Sequence, residues 1–215
     1  MVKSEVNATT GEAYIKCLPM QWDMKNKQAD ATMEQWVSIM KGGDVVKVKN
    51  KFNVHSIDPL YAPFDRLRHQ EFPALYFIGH FNRYKSYTGQ TPWNNDTMET
   101  RPPYYLHQTG KGWDKTTASE CWGAFVNHED FGVAVYSPVI DNYPTGNHNM
   151  LSGLAGKRST SNEMNDRDSY TSYIAPIGSV KLGPKSVIEY EYYIVVGKIQ
   201  TIRKKIYELR KDDKK

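Results

Sequence analysis

The chain has 215 residues, with 28 basic against 24 acidic side chains and a formal net charge of +4. This length allows one large all-β domain or two small ones, and no stretch reaches the ~20 consecutive apolar residues that a membrane-spanning helix needs. The lysines lie in short runs such as "VVKVKNK", without the motifs of nucleic-acid-binding modules, so nucleic acid is not an expected partner. We predict a single domain over residues 1–215.

The first strong pattern is a pair of alternating segments around two glycines. "TMEQWVSIM" and "VVKVKNKFNV" each alternate apolar and polar side chains, and "KGGD" lies between them. Alternating runs joined by a Gly-Gly turn are typical of a β-hairpin. Asn50 interrupts the apolar face of the second run, which indicates either a bulge or a polar position inside a sandwich.

Further strands are expected along the rest of the chain. "FPALYFIGHFNRYKSY" predicts a strand that bends at Gly79. "CWGAFVNHEDFGVAVYSP" predicts a second hairpin, from Trp122 to Val126 and from Phe131 to Tyr136. "SYTSYIAPIGSVKL" and "SVIEYEYYIVVG" complete the alternating segments. The expected fold is therefore an all-β, antiparallel sandwich.

Two long segments and the end of the chain differ from this pattern. Residues 88–117 and 141–169 are rich in Gly, Pro, Asn and Thr and predict long loops, which are usually functional or disordered at this length. "KIQTIRKKIYELRK" repeats isoleucine and leucine at helical spacing, so it predicts an amphipathic helix at about residues 198–211 that packs on the sandwich.

The candidate catalytic and substrate-binding residues include the four polar side chains of "RHQE", residues 68–71. In an extended segment, His69 and Glu71 project from one face, while Arg68 and Gln70 project from the other. A histidine and a carboxylate about 6–7 Å apart could act as acid and base across a sugar ring. Arg68 and Gln70 could bind sugar hydroxyls or a carboxylate. The alternative is an ordinary ion pair at a strand end, with a structural histidine.

Tryptophans supply the candidate sugar-stacking surfaces. Trp93 and Trp113 lie in the first long loop, where there is little core to join, and Trp22 and Trp36 lie among polar residues. An indole ring can stack on a pyranose, but it can equally cover the edge of a sandwich or meet a protein partner. Trp122, within an apolar run, is expected in the core.

No cofactor is expected, and the histidines show no metal-binding spacing. One oxygen-rich segment, "SNEMNDRDS", offers ligands that calcium prefers: Asn162, Glu163, Asn165, Asp166 and Asp168. Such runs more commonly form turns. Cys17 and Cys121 are the only cysteines, and two distant cysteines are more often free than bridged, although export would allow a single disulfide between them.

A set of motifs extends from residue 21 to residue 203: "QWDM", "ADATMEQW", "RHQEFPALYFIG", "CWGAFVN", "FGVAVYSP", "SYIAPI" and "YEYYIVVGKIQTIR". As a set, they resemble a family of exported bacterial proteins associated with polysaccharide breakdown. The resemblance implies a sandwich of the galactose-mutarotase-like supersandwich type, a periplasmic or extracellular location and a glycan ligand. It also implies that the chain corresponds to the C-terminal part of a longer family member.

Two functions follow from these observations. The first is a carbohydrate-binding or carbohydrate-processing module; as an enzyme it would be a glycoside hydrolase, a polysaccharide lyase or a sugar epimerase, with His69 and Glu71 as the acid–base pair. The second is a non-catalytic accessory or assembly subunit, in which the aromatic loops meet a protein partner and the polar side chains of residues 68–71 are structural.

Overall fold

Antiparallel strands dominate the computed structural model of the chain. The structure describes residues 2–21, 26–59, 62–101, 114–138, 149–156 and 170–213. The strands are β1 (Lys3–Val6), β2 (Ala13–Cys17), β3 (Ala31–Ile39), β4 (Val45–Val54), β5 (Leu67–Glu71), β6 (Leu75–Ile78), β7 (Arg83–Ser86), β8 (Glu99–Arg101), β9 (Asp114–Thr117), β10 (Trp122–Val126), β11 (Phe131–Tyr136), β12 (Asn149–Gly156), β13 (Tyr170–Lys181) and β14 (Val187–Lys198). One helix, α1 (Ile199–Asp213), follows the last strand within the described residues.

The chain divides into two units, each with its own internal contacts. The first comprises residues 1–70 and 179–192, and the second comprises residues 71–178 and 193–215. Strand β14 contributes its residues up to Tyr192 to the first unit and those from Tyr193 onward to the second. The prediction of a single domain stays a prediction.

In the first unit, the strands pair in the order β1-β2-β3-β4-β14. The predicted hairpin around the two glycines is confirmed, because β3 and β4 pair without a gap from Ala31 opposite Val54 to Ile39 opposite Val46. Gly42 and Gly43 form the turn with φ of 108° and 80°, a region that side chains other than glycine adopt reluctantly.

Asn50 is a polar position on the buried face of β4. It lies directly opposite Gln35 in an unbroken register, which excludes the bulge. Only 3% of its surface is exposed, and its Oδ1 accepts a hydrogen bond of 2.8 Å from Gln35 Nε2. This bond satisfies the Asn50 side-chain oxygen, which would otherwise be costly to bury.

In the second unit, two sheets face each other. One has the order β14-β11-β10-β7-β8, and the other contains β13, β12 and β9, with β6 paired to β13. The predicted bend at Gly79 is confirmed: β6 pairs with β13, whereas β7 pairs with β10 in the other sheet. Phe77 and Phe125 meet in the core with ring centroids 6.4 Å apart. Trp122 is fully buried, as expected.

The second predicted hairpin is confirmed, with β10 and β11 in the expected positions. Gly132 permits the closest approach of these strands: a Cβ atom there would lie 2.1 Å from the carbonyl oxygen of Phe125. The class predicted from the sequence, an antiparallel β-sandwich with a C-terminal helix, is thereby confirmed.

Helix α1 begins one residue after the predicted start and ends two residues after the predicted end. Its apolar stripe, which consists of Ile199, Ile202, Ile206 and Leu209, is buried. The two segments predicted as loops contain the short strands β8 and β9 and the eight-residue strand β12. The sequence of β12, "NMLSGLAG", is rich in small residues and poor in β-branched ones, so local propensity does not reveal it.

No helix in the described ranges is both long enough and apolar enough to cross a bilayer. Cys17, at the end of β2, and Cys121, immediately before β10, are both free thiols.

Candidate functional site

The solvent-facing side of the first unit's sheet brings aromatic and charged side chains together. Because side chains alternate along β3, Glu34 and Trp36 share this face, opposite the one that carries Gln35. The register places Tyr14 of β2 beside Trp36, and Glu5 of β1 beside Tyr14. Three adjacent strands therefore present a row that runs from a carboxylate to two aromatic rings.

The two rings form a pair with a carboxylate at its side. The ring centroids of Tyr14 and Trp36 are 5.3 Å apart, at an interplanar angle of 47°. The Tyr14 hydroxyl donates a hydrogen bond of 2.8 Å to Glu34 Oε2, and this bond raises the pKa of Tyr14 above its ordinary value. Both rings are half-buried, so each keeps part of its surface available to a ligand.

These residues line a groove of about 690 Å³, within the roughly 300–1,000 Å³ typical of small-molecule sites. The lining residues are Lys3, Glu5, Val6, Asn7, Glu12, Tyr14, Glu34 and Trp36. Lys3 Nζ lies 2.6 Å from Glu5 Oε1 and 5.7 Å from the ring centroid of Tyr14. The walls therefore combine apolar ring faces with groups that accept and donate hydrogen bonds. We call this site the Trp36 groove.

Of the four candidate stacking tryptophans, Trp36 lies in this groove. Trp22 and Trp113 lie outside the described residues. Trp93, in the loop before β8, is held by other side chains. Its backbone N–H donates a hydrogen bond of 2.9 Å to Glu120 Oε1, and the Arg210 guanidinium lies 4.0 Å from its ring centroid. Tyr207 meets the same ring at 5.4 Å. Trp93 is thus part of a packed cluster that contains a buried ion pair.

The buried pair of that cluster, Glu120 and Arg203, was not predicted from the sequence. Glu120 is fully buried and Arg203 is 1% exposed. Two bonds join them, from Arg203 Nε to Glu120 Oε2 at 3.0 Å and from the Nη2 atom to Oε1 at 2.7 Å. Glu120 also accepts bonds from Trp122 Nε1 at 2.9 Å and from the Tyr207 hydroxyl at 2.6 Å. We call these residues the Glu120 cluster.

Burial by itself would raise the pKa of Glu120, but the hydrogen bonds from Arg203, Tyr207 and Trp122 outweigh it, so the pKa lies below its ordinary value. The carboxylate has its acceptor sites filled by protein donors, which indicates a structural role. One signal in the sequence pointed to the pair: Arg203 lies four residues after Ile199, on the buried stripe of the helix, where a cation requires a buried partner.

His69, Gln70 and Arg68 belong to the first unit. His69 is exposed on β5, and its Nδ1 lies 2.9 Å from the Ser179 hydroxyl oxygen. Gln70 is half-buried and donates through Nε2 to the carbonyl of His69 at 2.7 Å. Arg68 is half-buried. The alternation predicted for this segment is present, with residues 67, 69 and 71 exposed.

Glu71 belongs to the second unit, where its carboxylate is exposed and accepts a hydrogen bond from the Tyr173 hydroxyl. Tyr173 is almost fully buried, and its desolvation, together with this bond, raises its pKa well above the ordinary value. The Tyr76 ring packs on Tyr173 with centroids 5.0 Å apart. The roles assigned to Arg68, His69, Gln70 and Glu71 stay predictions.

The oxygen-rich segment proposed for calcium, residues 162–168, lies outside the described residues. Within the ranges that the structure describes, no three histidine, cysteine or carboxylate side chains are grouped in a way that could hold a metal ion.

Comparison with known proteins gives resemblances in structure only. No protein-family model and no curated protein sequence matches the chain. A galactose mutarotase-like protein from Lactobacillus casei superposes with a TM-score of 0.43 and 9% identity, over 90% of this chain and 72% of that one. A protein from Synechocystis gives 0.46 and 9%, over 92% and 65%. A GH36 alpha-galactosidase from Geobacillus stearothermophilus gives 0.49 and 11%, over 91% of this chain and 25% of that one.

These likenesses are too distant for an activity to be transferred, since each TM-score is below 0.5 and about one residue in ten is identical. The functional argument therefore rests on the side chains of the chain itself.

Proposed function

We propose that the chain is a carbohydrate-binding module that holds a sugar ring against Trp36 and Tyr14 in the Trp36 groove. The observation that carries this proposal is the aromatic pair, 5.3 Å between centroids, with the Glu34 carboxylate hydrogen-bonded at its side. The C–H face of a pyranose packs on flat aromatic rings, and its hydroxyls donate to carboxylate oxygens. Both kinds of partner are available in one groove.

The position of the pair supports a ligand-binding role over a packing role. Trp36 projects from the polar face of its strand, whereas the buried core positions of the neighbouring strand β4, Val48 and Val54, belong to the opposite face. Glu34 retains 20% exposure of its side chain, and its Oε1 has only long contacts within the described residues, 3.5 Å to Asn53 Nδ2 and 4.0 Å to Lys16 Nζ. Its oxygens thus have capacity for further donors.

A glycan-array screen of the purified chain tests this proposal. The wild type is expected to bind a defined glycan, and Trp36→Ala should lower its affinity about ten- to thirtyfold, as loss of a central aromatic anchor does in other interfaces. Ile39→Ala is the matched control, because Ile39 is an exposed apolar residue at the end of the same strand. Equal binding by wild type and Trp36→Ala would reject the groove as the site.

Failure of the folded wild type to bind any glycan would reject the carbohydrate function and favour an accessory subunit that meets a protein partner. An exported location, periplasmic or extracellular, belongs to the same proposal and is supported by the sequence resemblance. Fractionation of the native host, with detection of the chain by antibody, tests it; recovery with cytoplasmic markers would contradict export.

We also propose that the exposed side chains of His69, in the first unit, and of Glu71, in the second unit, each serve as an acid or a base in carbohydrate chemistry. Each is exposed, and each is oriented by a hydroxyl group, Ser179 for the imidazole and Tyr173 for the carboxylate. Once a binding glycan is known, His69→Ala and Glu71→Gln should each lower turnover about 10²- to 10⁴-fold without loss of binding. Arg66→Ala, an exposed neighbour, is the control. Unchanged turnover in both variants would exclude this role.

A further inference from the structure

A second cavity, in the other unit, is separate from the Trp36 groove. It has a volume of about 450 Å³ and is lined by Lys85, Asn95, Asp96, Thr97, Met98 and Gln200. These residues come from β7, from the loop before β8 and from the first turn of α1. We call it the Gln200 cavity.

The charges around the Gln200 cavity are already compensated by protein groups. Lys85 is 8% exposed, and its Nζ lies 3.0 Å from Asp130 Oδ1. Asp96 Oδ2 accepts bonds from the Tyr87 hydroxyl at 3.1 Å and from Asn94 Nδ2 at 3.3 Å, and its Oδ1 lies 3.8 Å from Arg203. The cavity therefore offers no uncompensated charge to attract an ion.

The uncharged polar side chains of the Gln200 cavity, in contrast, can form hydrogen bonds with a ligand. Within the described ranges, the side chains of Asn95, Thr97 and Gln200 have no hydrogen-bond partner. Each amide offers two donors and an accepting oxygen, and the hydroxyl offers one donor and an accepting oxygen. Groups that both donate and accept match ligands that do the same, such as sugar hydroxyls.

The wall that carries two of these residues is fixed from behind by the Glu120 cluster. The Asn95 backbone N–H donates a hydrogen bond of 3.1 Å to the Tyr207 hydroxyl, and the carbonyl of Asp96 accepts a hydrogen bond from Arg203. Two residues upstream, the Trp93 N–H is bound by Glu120. A loop held in this way presents its side chains at nearly constant positions, which lowers the entropic cost of binding.

From this combination we infer that the Gln200 cavity is a second binding site, for a neutral, hydroxyl-rich ligand of about monosaccharide size. Asn95, Thr97 and Gln200 bind the hydroxyls, and Met98 supplies an apolar contact. The inference concerns other residues than the Trp36 groove and does not depend on ligand binding there.

A two-dimensional ¹H–¹⁵N NMR titration of the full chain tests the inference. The probes are methyl β-galactopyranoside and methyl β-glucopyranoside, with inorganic phosphate as an anionic probe. The side-chain amide signals of Asn95 and Gln200 should shift and saturate with at least one glycoside, and phosphate should leave them unchanged. The indole signal of Trp36, recorded in the same spectra, reports on the groove independently.

Substitutions then locate the binding. The double variant Asn95→Ala/Gln200→Ala should abolish the saturable shifts of the backbone amides of residues 95–98, whereas Thr201→Ala, at the exposed next position of α1, should retain them. Absence of shifts with both glycosides, shifts with phosphate alone, or shifts that persist in the double variant would each overturn the inference. Shifts at Trp36 without shifts at Asn95 would overturn this inference and leave the proposed function standing. Shifts at Asn95 without shifts at Trp36 would support this inference and contradict the proposed function.

Discussion

The Trp36 groove and the Glu120 cluster contain the same chemical groups but differ in how far their carboxylates are exposed to solvent. In each, a carboxylate accepts a tyrosine hydroxyl, at 2.8 Å in the pair of Tyr14 and Glu34 and at 2.6 Å in the pair of Tyr207 and Glu120. Glu34 keeps 20% exposure of its side chain, whereas Glu120 has none. The comparison shows that residue type alone does not decide whether such a carboxylate is open to a ligand; its exposure and its remaining hydrogen-bonding capacity do.

The largest effect is expected when the cation of the Glu120 cluster is removed. Arg203→Ala leaves the carboxylate buried without its charge partner, which costs about 3–5 kcal/mol in the free energy of unfolding. Urea denaturation measures the loss, with Lys204→Ala, at an exposed position of the same helix, as control. A loss below about 1 kcal/mol, in the range of exposed ion pairs, would show that the cluster does not stabilise the fold in this way.

Tyr207→Phe should have a smaller effect, about 1–2 kcal/mol, because it deletes the bonds to Glu120 and to the Asn95 N–H but retains the ring. Burial, followed by the bond to Glu120, raises the pKa of Tyr207 to about 12. The folded state therefore holds this proton more tightly than the unfolded chain, whose tyrosine pKa is about 10. The stabilisation is fully present below about pH 10 and is lost as the pH rises toward 12.

The difference in stability between wild type and Tyr207→Phe, measured by urea denaturation, should thus narrow from pH 9 to pH 11.5. The other tyrosines of the unfolded chain titrate near pH 10 as well, so the comparison uses the difference and not the wild-type curve. A difference that stays constant with pH would contradict the role of the hydroxyl proton.

In the Trp36 groove, Glu34→Gln should change glycan affinity more than the stability of the fold. The substitution keeps the shape but removes the charge, so glycan affinity is expected to fall about tenfold while the thermal midpoint stays nearly constant. Isothermal titration with the glycan identified on the array gives the affinity, and calorimetric melting gives the midpoint. A large drop in the midpoint with unchanged affinity would place Glu34 among the structural residues, beside Glu120.

The smallest effect is expected for the ion pairs on the same face of the first unit's sheet. Lys47 Nζ lies 3.0 Å from Glu191 Oε2, with a quarter or more of both side chains exposed, so Lys47→Ala should cost less than about 1 kcal/mol. Added salt should reduce that cost further, because exposed charges are screened. A cost of several kcal/mol in urea denaturation would show that this face is less solvated than its exposure indicates.

The sequence predicted the parts of the fold that local pattern encodes. The alternation in β3 and β4, the two glycines between them and the isoleucine spacing of α1 each carry their own signal. Strand β12 carries none, because its small residues become a strand only through pairing with β13. Long-range pairing of this kind is invisible to a local pattern.

The candidate site was predicted less completely, for a related reason. Trp36 and its polar neighbours on β3 were recognised, but Tyr14 lies more than twenty residues away and reaches the groove only through the register of β2 with β3. Likewise, Glu120 and Arg203 lie 83 positions apart, and only tertiary packing shows that Trp93 belongs to their cluster. The sequence shows which chemical groups a residue carries, whereas contacts with distant parts of the chain decide whether those groups are open to a ligand.

The junction between β14 and α1 has a mechanical consequence. The strand passes into the helix without a linker, and the two residues at the join, Lys198 and Ile199, are bonded to the carbonyls of Glu129 and Asp130 at 2.9 Å each. A pulling force on α1 is therefore transmitted to the turn of the neighbouring hairpin and to the hydrogen bonds between β14 and β11. We expect α1 to separate from the sheet only when these interstrand hydrogen bonds break, and not before them.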